Sequence, residues 1–194
     1  MDDHPVDSRG LMLPEPSWPD QPGSAGVLEP LRRFCNTINR ENGADAWRTV
    51  DELRVWLVAE GADRVGALDA TDLARLAAVR DALLTGVCDG DFGAFARLAG
   101  DVSVRMTAAA DGVALVPFRT GVDGIVARLA LAVAAASSSG ELHRLKACQH
   151  CRWVFHDTSK NRRGRWCSMA ACGSRDKARA YRRRQAVRRV VGSS

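Results

Sequence analysis

The sequence has no apolar run of the roughly 18 residues that are needed to cross a bilayer. The longest candidate, residues 125–136, is shorter, rich in alanine and interrupted by Arg128. It is therefore predicted to be a core helix. The N-terminus also lacks the positive charge and the apolar stretch of a signal peptide, because Asp2, Asp3 and His4 stand there instead. We expect a cytoplasmic protein with no membrane association.

Lysine is scarce, since only three of the 28 basic residues are lysines and the others are arginines. The charge is also unevenly distributed. From Glu141 to the end there are 15 basic and three acidic residues, whereas residues 1–140 carry 13 basic and 20 acidic ones. Arginine holds phosphate through two parallel hydrogen bonds, which lysine does not offer. A basic tail on an acidic domain predicts a polyanionic partner.

The apolar periodicity divides the chain into three parts and contains no internal repeat. Residues 1–27 hold five of the seven prolines and no periodicity, which predicts a disordered leader. Residues 28–140 show mainly helical spacing, with a β-hairpin around Asp111-Gly112 formed by 102–106 and 113–118. The predicted fold class is therefore mainly α with a small β-hairpin (α+β), followed by a separate module over 141–190.

Four of the six cysteines follow the spacing Cys148-x₂-Cys151-x₁₅-Cys167-x₄-Cys172. Two close pairs of thiolates predict a closed, tetrahedral and structural Zn²⁺ site with these four residues as ligands. Two disulfides are an alternative, which a reducing cytosol disfavours. A redox Cys-x-x-Cys is another alternative, but the surrounding βαβ pattern is missing. Cys35 and Cys88 stand alone on apolar helical patterns and are predicted to be small hydrophobic residues.

The order of elements around the cysteines predicts a treble-clef-like zinc finger that ends in a basic helix. A knuckle at Cys148–Cys151 would be followed by a strand over 153–155, a return strand at 165–166 and a helix from Arg175. The nearby histidines are not needed as ligands because the cysteine set is complete. A closed site leaves no coordination position for water, so we do not expect an enzyme.

Two basic clusters adjoin the predicted zinc site and are the candidate nucleic-acid-binding residues. On a helix, Arg175, Arg179, Arg182 and Arg183 share one face that could follow a phosphate backbone. A solvated charged helix, an acidic protein partner and anionic lipid are alternatives, and the lack of an apolar face disfavours lipid. The full set comprises Lys160, Arg162, Arg163 and Arg165 in the loop, and Arg175, Lys177, Arg179, Arg182, Arg183 and Arg184 in the helix.

Three polar residues lie on otherwise apolar segments of the predicted helical domain, namely Asn36, Asn39 and Arg80. They are a candidate pocket for a small molecule. The alternative is that they make hydrogen bonds and ion pairs between helices. We favour this alternative because no nucleophile–base pair and no phosphate-binding loop accompanies them.

A motif runs through the stretch from Cys148 to Arg184, carried by Arg152, Trp153, Phe155, Asp157 to Ser159, Asn161, Arg162, Arg165 to Ala170, Cys172, Gly173, Arg175 and Lys177 to Arg179. This stretch resembles the CGNR zinc finger, although Ser174 stands where the naming motif has asparagine. Upstream, residues 34–37 and 79–83 resemble segments of the ABATE domain, which is described as a stress-induced transcription regulator domain.

This resemblance implies a bacterial transcription regulator in which the finger binds DNA, in preference to RNA, and the N-terminal domain senses a small-molecule effector. Two other functions stay open on the residues alone. One is an RNA- or protein-interaction module in which zinc is purely structural. The other, less favoured, is a small-molecule enzyme or sensor. A homodimer is a candidate assembly.

Overall fold

The computed structural model describes residues 26–62, 65–110 and 112–191, with side chains as far as residue 185. The predicted leader, residues 1–27, falls almost entirely outside this range. Short 3₁₀ turns cover Gly26–Leu28 and Leu142–Arg144. The remaining elements are α1 (Glu29–Cys35), β1 (Ile38–Asn39), β2 (Ala44–Asp45), α2 (Val50–Ala59), α3 (Ala70–Asp89), α4 (Gly93–Ala99), β3 (Val104–Ala109), β4 (Gly112–Pro117), α5 (Gly121–Ser138), β5 (Leu145–Ala147), β6 (Val154–His156), a π turn (Met169–Gly173) and α6 (Ser174–Val191).

Local sequence signals fix the ends of the two capped helices α2 and α3. The Thr49 side chain accepts from the backbone of Glu52, and the Glu52 carboxylate accepts from the backbone of Thr49, so α2 begins with a capping box. Asp69 and Asp72 make the same exchange at the start of α3. Gly90 ends α3 at φ 78°, a left-handed conformation that glycine adopts without steric cost.

The main core lies between α1, α3 and α5. Leu31, Leu76, Leu83 and Val126 are almost completely buried there. Phe34 packs against the Trp47 and Trp56 rings, with ring centroids 6.4 and 5.8 Å away. These apolar stripes were predicted from helical spacing, and they account for the mainly helical architecture.

Helix α5 is long and apolar enough to cross a membrane by length and composition alone. Seven of its residues are nevertheless buried, and five of these belong to the main core: Val122, Ile125, Val126, Leu129 and Ala136. The prediction of a core helix over 125–136 is therefore confirmed. This arrangement is consistent with a soluble protein.

The predicted hairpin is present as β3 and β4, which pair antiparallel with Met106 opposite Leu115. One face carries only apolar side chains: Val104, Met106, Ala108, Val113, Leu115 and Pro117. Met106 and Val113 are 68% and 70% exposed. The hairpin thus presents an apolar surface to solvent in the described chain.

The third antiparallel pair, β5 with β6, packs against the helical part of the chain. Leu145 and Val154 from these strands belong to the same buried cluster as the residues of α1, α3 and α5. A second, small cluster contains three of the four cysteines together with Phe155, and Trp153, Trp166 and Cys167 pack against it. The main core therefore continues across the predicted division near residue 140. The domain bounds stay a prediction.

Candidate metal centre

The first cysteine pair lies in the turn that joins β5 to β6. The Cys148 amide donates to the Trp153 carbonyl at 2.8 Å, and the Arg152 amide donates to the Cys148 carbonyl at 2.9 Å. Arg152 has φ 65°, so the backbone turns back sharply directly after Cys151. This turn brings the two sulfurs of the pair towards one point.

β6 does not pair with the strand that the sequence predicts. We expected residues 165–166 to return beside 153–155, but β6 pairs with β5, which precedes the knuckle. Residues 165–166 are not in a strand, and the Arg165 carbonyl accepts a single backbone hydrogen bond, from Gln149. The reason is that Leu145 fills the main core beside Val154, which favours the β5 pairing.

The second cysteine pair is brought together by the π turn Met169–Gly173. Ser168 caps this turn, because its Oγ accepts from the Ala171 amide at 3.2 Å. A π turn is wider than an α-helical turn and places residues five apart near each other. Cys167 and Cys172 are five apart, and their sulfurs are 3.7 Å from each other.

All four sulfurs converge on one point. The Cys151 sulfur lies 3.6 Å from those of Cys167 and Cys172, and every pair within the set of four is closer than 4.8 Å. Four thiolates around Zn²⁺ at about 2.3 Å would stand about 3.8 Å apart in a tetrahedron. The observed spacing therefore fits a tetrahedral zinc ion.

The ionisation of the four thiols shows why the cluster suits a cation. Hydrogen bonds to the sulfurs of Cys148 and Cys151 raise the pKa of Cys167, and the hydrogen bond to Cys148 raises the pKa of Cys151 to about 12. The same hydrogen bonds, donated by Cys151 and Cys167, lower the pKa of Cys148. One thiolate thus suppresses the ionisation of its neighbours, and a divalent cation at the centre would allow all four to ionise.

The comparison with known families agrees with this donor set. Residues 144–185 match the CGNR zinc finger family. No curated protein matches the chain. The matched segment contains all four cysteines, so the CGNR zinc finger and its cysteine cluster are consistent with a single structural Zn²⁺.

The basic loop of the CGNR zinc finger is held by Asp157, to which the sequence assigns no role beyond its place in the motif. Its carboxylate is 2% exposed and accepts from Lys146 Nζ at 2.7 Å, the Ser159 amide at 3.0 Å and the Gly164 amide at 2.8 Å. Burial alone would raise the pKa of Asp157, but these donors outweigh it and hold the pKa well below its usual range. Asp157 thereby closes the loop over residues 157–164.

We expect Asp157→Asn to lower the free energy of unfolding by about 2 kcal/mol at pH 7, because the hydrogen bonds lose their charge. A lowered folded-state pKa gives stability above the unfolded pKa of about 3.9, and that stability is lost as the pH falls below it. The difference between the two proteins in the free energy of unfolding, measured with urea, should be constant from pH 8 to 5 and shrink below about pH 4. The zinc thiolates titrate in both proteins, so they cancel in this difference. Equal stability at pH 7 would contradict the role of Asp157.

The ten predicted nucleic-acid-binding residues are all exposed on the CGNR zinc finger. Arg175 at the start of α6 pairs with Glu41 of the N-terminal part at 2.7 Å. Arg165 donates to the Gln149 side chain and lies over the Trp166 ring, 4.9 Å from its centroid. The others offer their charges to solvent: Lys160, Arg162, Arg163, Lys177, Arg179, Arg182, Arg183 and Arg184.

The candidate ligand-pocket residues have structural partners instead. Asn36 donates from Nδ2 to the Val154 carbonyl and accepts at Oδ1 from the Val154 amide, both at 2.8 Å. Arg80 forms a two-point ion pair with Asp45 at 2.8 and 2.7 Å. Asn39 Oδ1 accepts from the Glu41 amide. None of the three lines the cavity beside Cys88 and Arg152 or the one beside Arg75 and Asp123. Asn39 Nδ2 and Arg80 Nε are buried without a hydrogen-bond partner among the described residues.

Proposed function

We propose that this protein is a DNA-binding transcription regulator whose CGNR zinc finger presents α6 to duplex DNA. The observation that supports this most directly is the exposed row Arg179, Arg182 and Arg183, directly after the cysteine-bearing π turn. The zinc site would be purely structural in this function. It would fix the start of α6 and so the direction in which the arginines point.

The charge of α6 suits a phosphate backbone. Between Ser174 and Gln185, the part of the helix with described side chains, Asp176 is the single acidic residue. No carboxylate among the described residues pairs with Arg179, Arg182 or Arg183. Each phosphate that such a side chain neutralises releases counterions, so the affinity should fall steeply with salt. Selection of a DNA sequence would need further contacts with base edges.

The test is a combined Arg179→Glu, Arg182→Glu and Arg183→Glu variant. Three lost phosphate contacts should flatten the slope of log K against log salt by about 3 and weaken binding to duplex DNA about 100-fold or more at low salt. Fluorescence anisotropy of a labelled duplex at several salt concentrations measures both quantities.

The matched control reverses the same amount of charge outside the finger, at Arg48, Arg97 and Arg105, which are exposed. It should retain most of the affinity. Equal losses in the two variants would show that only net charge matters. Unchanged affinity in the α6 variant would exclude α6 as the DNA contact.

The alternative function is an RNA- or protein-interaction module with the same structural zinc. Competition with single-stranded RNA in the same titration distinguishes RNA binding from DNA binding. A preference for RNA would overturn the DNA proposal. Sensing by the N-terminal part is included in our proposal, because the Arg175–Glu41 ion pair connects that part to α6. Transcription regulation under stress, a cytoplasmic location, the absence of catalysis and a homodimer stay predictions.

A further inference from the structure

A cleft of about 1000 Å³ lies between the helical part of the chain and the zinc finger. One wall comes from the end of α3 and the loop after it, with Val87, Cys88 and Phe92. The opposite wall comes from the finger, with Arg152, Arg163 and Arg165. This volume is at the upper end of the range for small-molecule sites in proteins.

The finger side of the cleft is strongly basic, and no aspartate or glutamate lines it. Among the described residues, none of the three arginines pairs with a carboxylate. Arg152 Nη2 donates to Cys88 Sγ at 2.9 Å, and Arg165 Nε donates to the Gln149 amide oxygen at 2.8 Å. Burial raises the pKa of the Cys88 thiol, which therefore stays neutral at pH 7. The positive charge of Arg152 is thus left uncompensated.

The backbone of Arg152 is a second, independent observation. Its φ of 65° lies in the left-handed region, which residues other than glycine adopt rarely. Glycine would hold this turn of the knuckle without strain. An arginine in this place instead extends to Cys88 at the cleft. Sparsely populated backbone conformations of this kind cluster at active sites and ligand-binding sites.

Apolar side chains make up much of the remaining lining of the cleft. Val87 and Phe92 lie on the α3 side, and Leu142, Leu145 and Ala147 also contribute. Arginine side chains bind oxyanions through two parallel hydrogen bonds. A ligand that satisfies both sides carries an oxyanion at one end and an apolar body at the other.

We propose that this cleft binds a small organic oxyanion, a phosphate or a carboxylate on an apolar body, with Arg152, Arg163 and Arg165 holding the anionic group. The bound molecule would contact α3 and the zinc finger together. This inference goes beyond DNA binding and does not depend on it. Phosphate and carboxylate share the recognition chemistry, and the experiment distinguishes them.

The experiment is calorimetric titration of the full zinc-loaded chain at low salt with phenyl phosphate, benzoate and inorganic phosphate. At least one of the two aromatic probes should bind about 10-fold more tightly than inorganic phosphate, because only they use the apolar wall. The tighter of the two identifies the anionic group. No binding of either aromatic probe up to about 10 mM, or equal binding of all three probes, would overturn the proposal.

Two variants test the residues, with zinc content measured for each. Arg152→Gly should keep zinc and the fold, since glycine suits this backbone, yet bind the preferred probe at least 10-fold more weakly. Arg163→Ala should show a similar loss. Arg105→Ala, on the exposed hairpin, is the control and should bind as the unchanged protein does. Unchanged binding in the first two variants would refute the site.

Arg163 and Arg165 also belong to the predicted DNA-binding set, whereas Arg152 does not. Arg152→Gly should therefore keep its affinity for duplex DNA while losing the aromatic probe. An equal loss of both would assign the arginines to the DNA surface and overturn the proposal. If the aromatic probe binds but duplex DNA does not, the proposed DNA binding is wrong and the proposed ligand site in the cleft is supported.

Discussion

Replacing Cys148 by serine is expected to abolish stoichiometric zinc binding and to unfold the finger together with part of the helical core. A serine hydroxyl does not ionise near neutral pH and is a poor ligand for zinc. Structural zinc contributes apparent free energies of about 10–16 kcal/mol in small finger domains. This is comparable to the whole stability of a typical domain, about 5–15 kcal/mol. The finger cannot lose that contribution and stay folded.

The effect should reach beyond the finger because the two parts share a core. Leu145, three residues before Cys148, and Val154 are 2% and 0% exposed and belong to the main cluster. Thermal unfolding followed by circular dichroism should therefore show a lower midpoint for the helical signal as well. A finger that melts separately, while the helical transition stays unchanged, would contradict this coupling.

Cys88→Ser is the matched control for this experiment. Cys88 is partly buried at the end of α3 and is not one of the four converging thiols. The variant should retain one zinc and a nearly unchanged melting midpoint. If it loses zinc as Cys148→Ser does, the assignment of the ligands is wrong.

Replacing Asn36 by alanine is expected to cost about 3 kcal/mol of unfolding free energy. Asn36 is 7% exposed and pairs with both backbone polar groups of Val154, which is itself completely buried. Each buried group left without a partner costs about 1–3 kcal/mol. Urea unfolding measures the loss. Hydrogen exchange should show a faster rate at the Val154 amide, which identifies the site of the damage.

Asn39→Ala is the corresponding control in the neighbouring strand β1. Asn39 is 1% exposed, and thus at least as buried as Asn36, but its carbonyl oxygen accepts a single local hydrogen bond, from the Glu41 amide. Asn39→Ala should lower the unfolding free energy clearly less than Asn36→Ala does. It should also leave the hydrogen-exchange rate of the Val154 amide unchanged. Equal losses of unfolding free energy in the two variants would mean that the effect of Asn36→Ala comes from burial of the side chain and not from the hydrogen bonds to Val154 in β6.

The features with local signals could be predicted from the sequence. The four ligands follow from cysteine spacing alone, and the helices and the β3–β4 hairpin follow from apolar periodicity and from Asp111-Gly112. In each case the physical cause lies within a few residues of the effect.

The features that depend on distant segments could not be predicted. The pairing of β6 with β5 is favoured by where Leu145 and Val154 meet the main core, which no local pattern shows. Asn36 on an apolar helix indicates a ligand or a structural partner equally well, and Val154 is 118 residues away. The cleft is formed by the end of α3 and the finger, so Arg163 and Arg165 could be predicted only as part of one general basic surface, and Arg152 was not predicted as a binding residue.

The zinc content of the protein, purified under reducing conditions, tests the central claim most directly. Elemental analysis should give one zinc per chain, and titration of thiols in the denatured, zinc-loaded protein with excess chelator should give six free cysteines. Cys148→Ser should lower the zinc content to near zero. A reduced protein that holds no metal, even after incubation with Zn²⁺, would contradict the assignment of Cys148, Cys151, Cys167 and Cys172 as a structural zinc site.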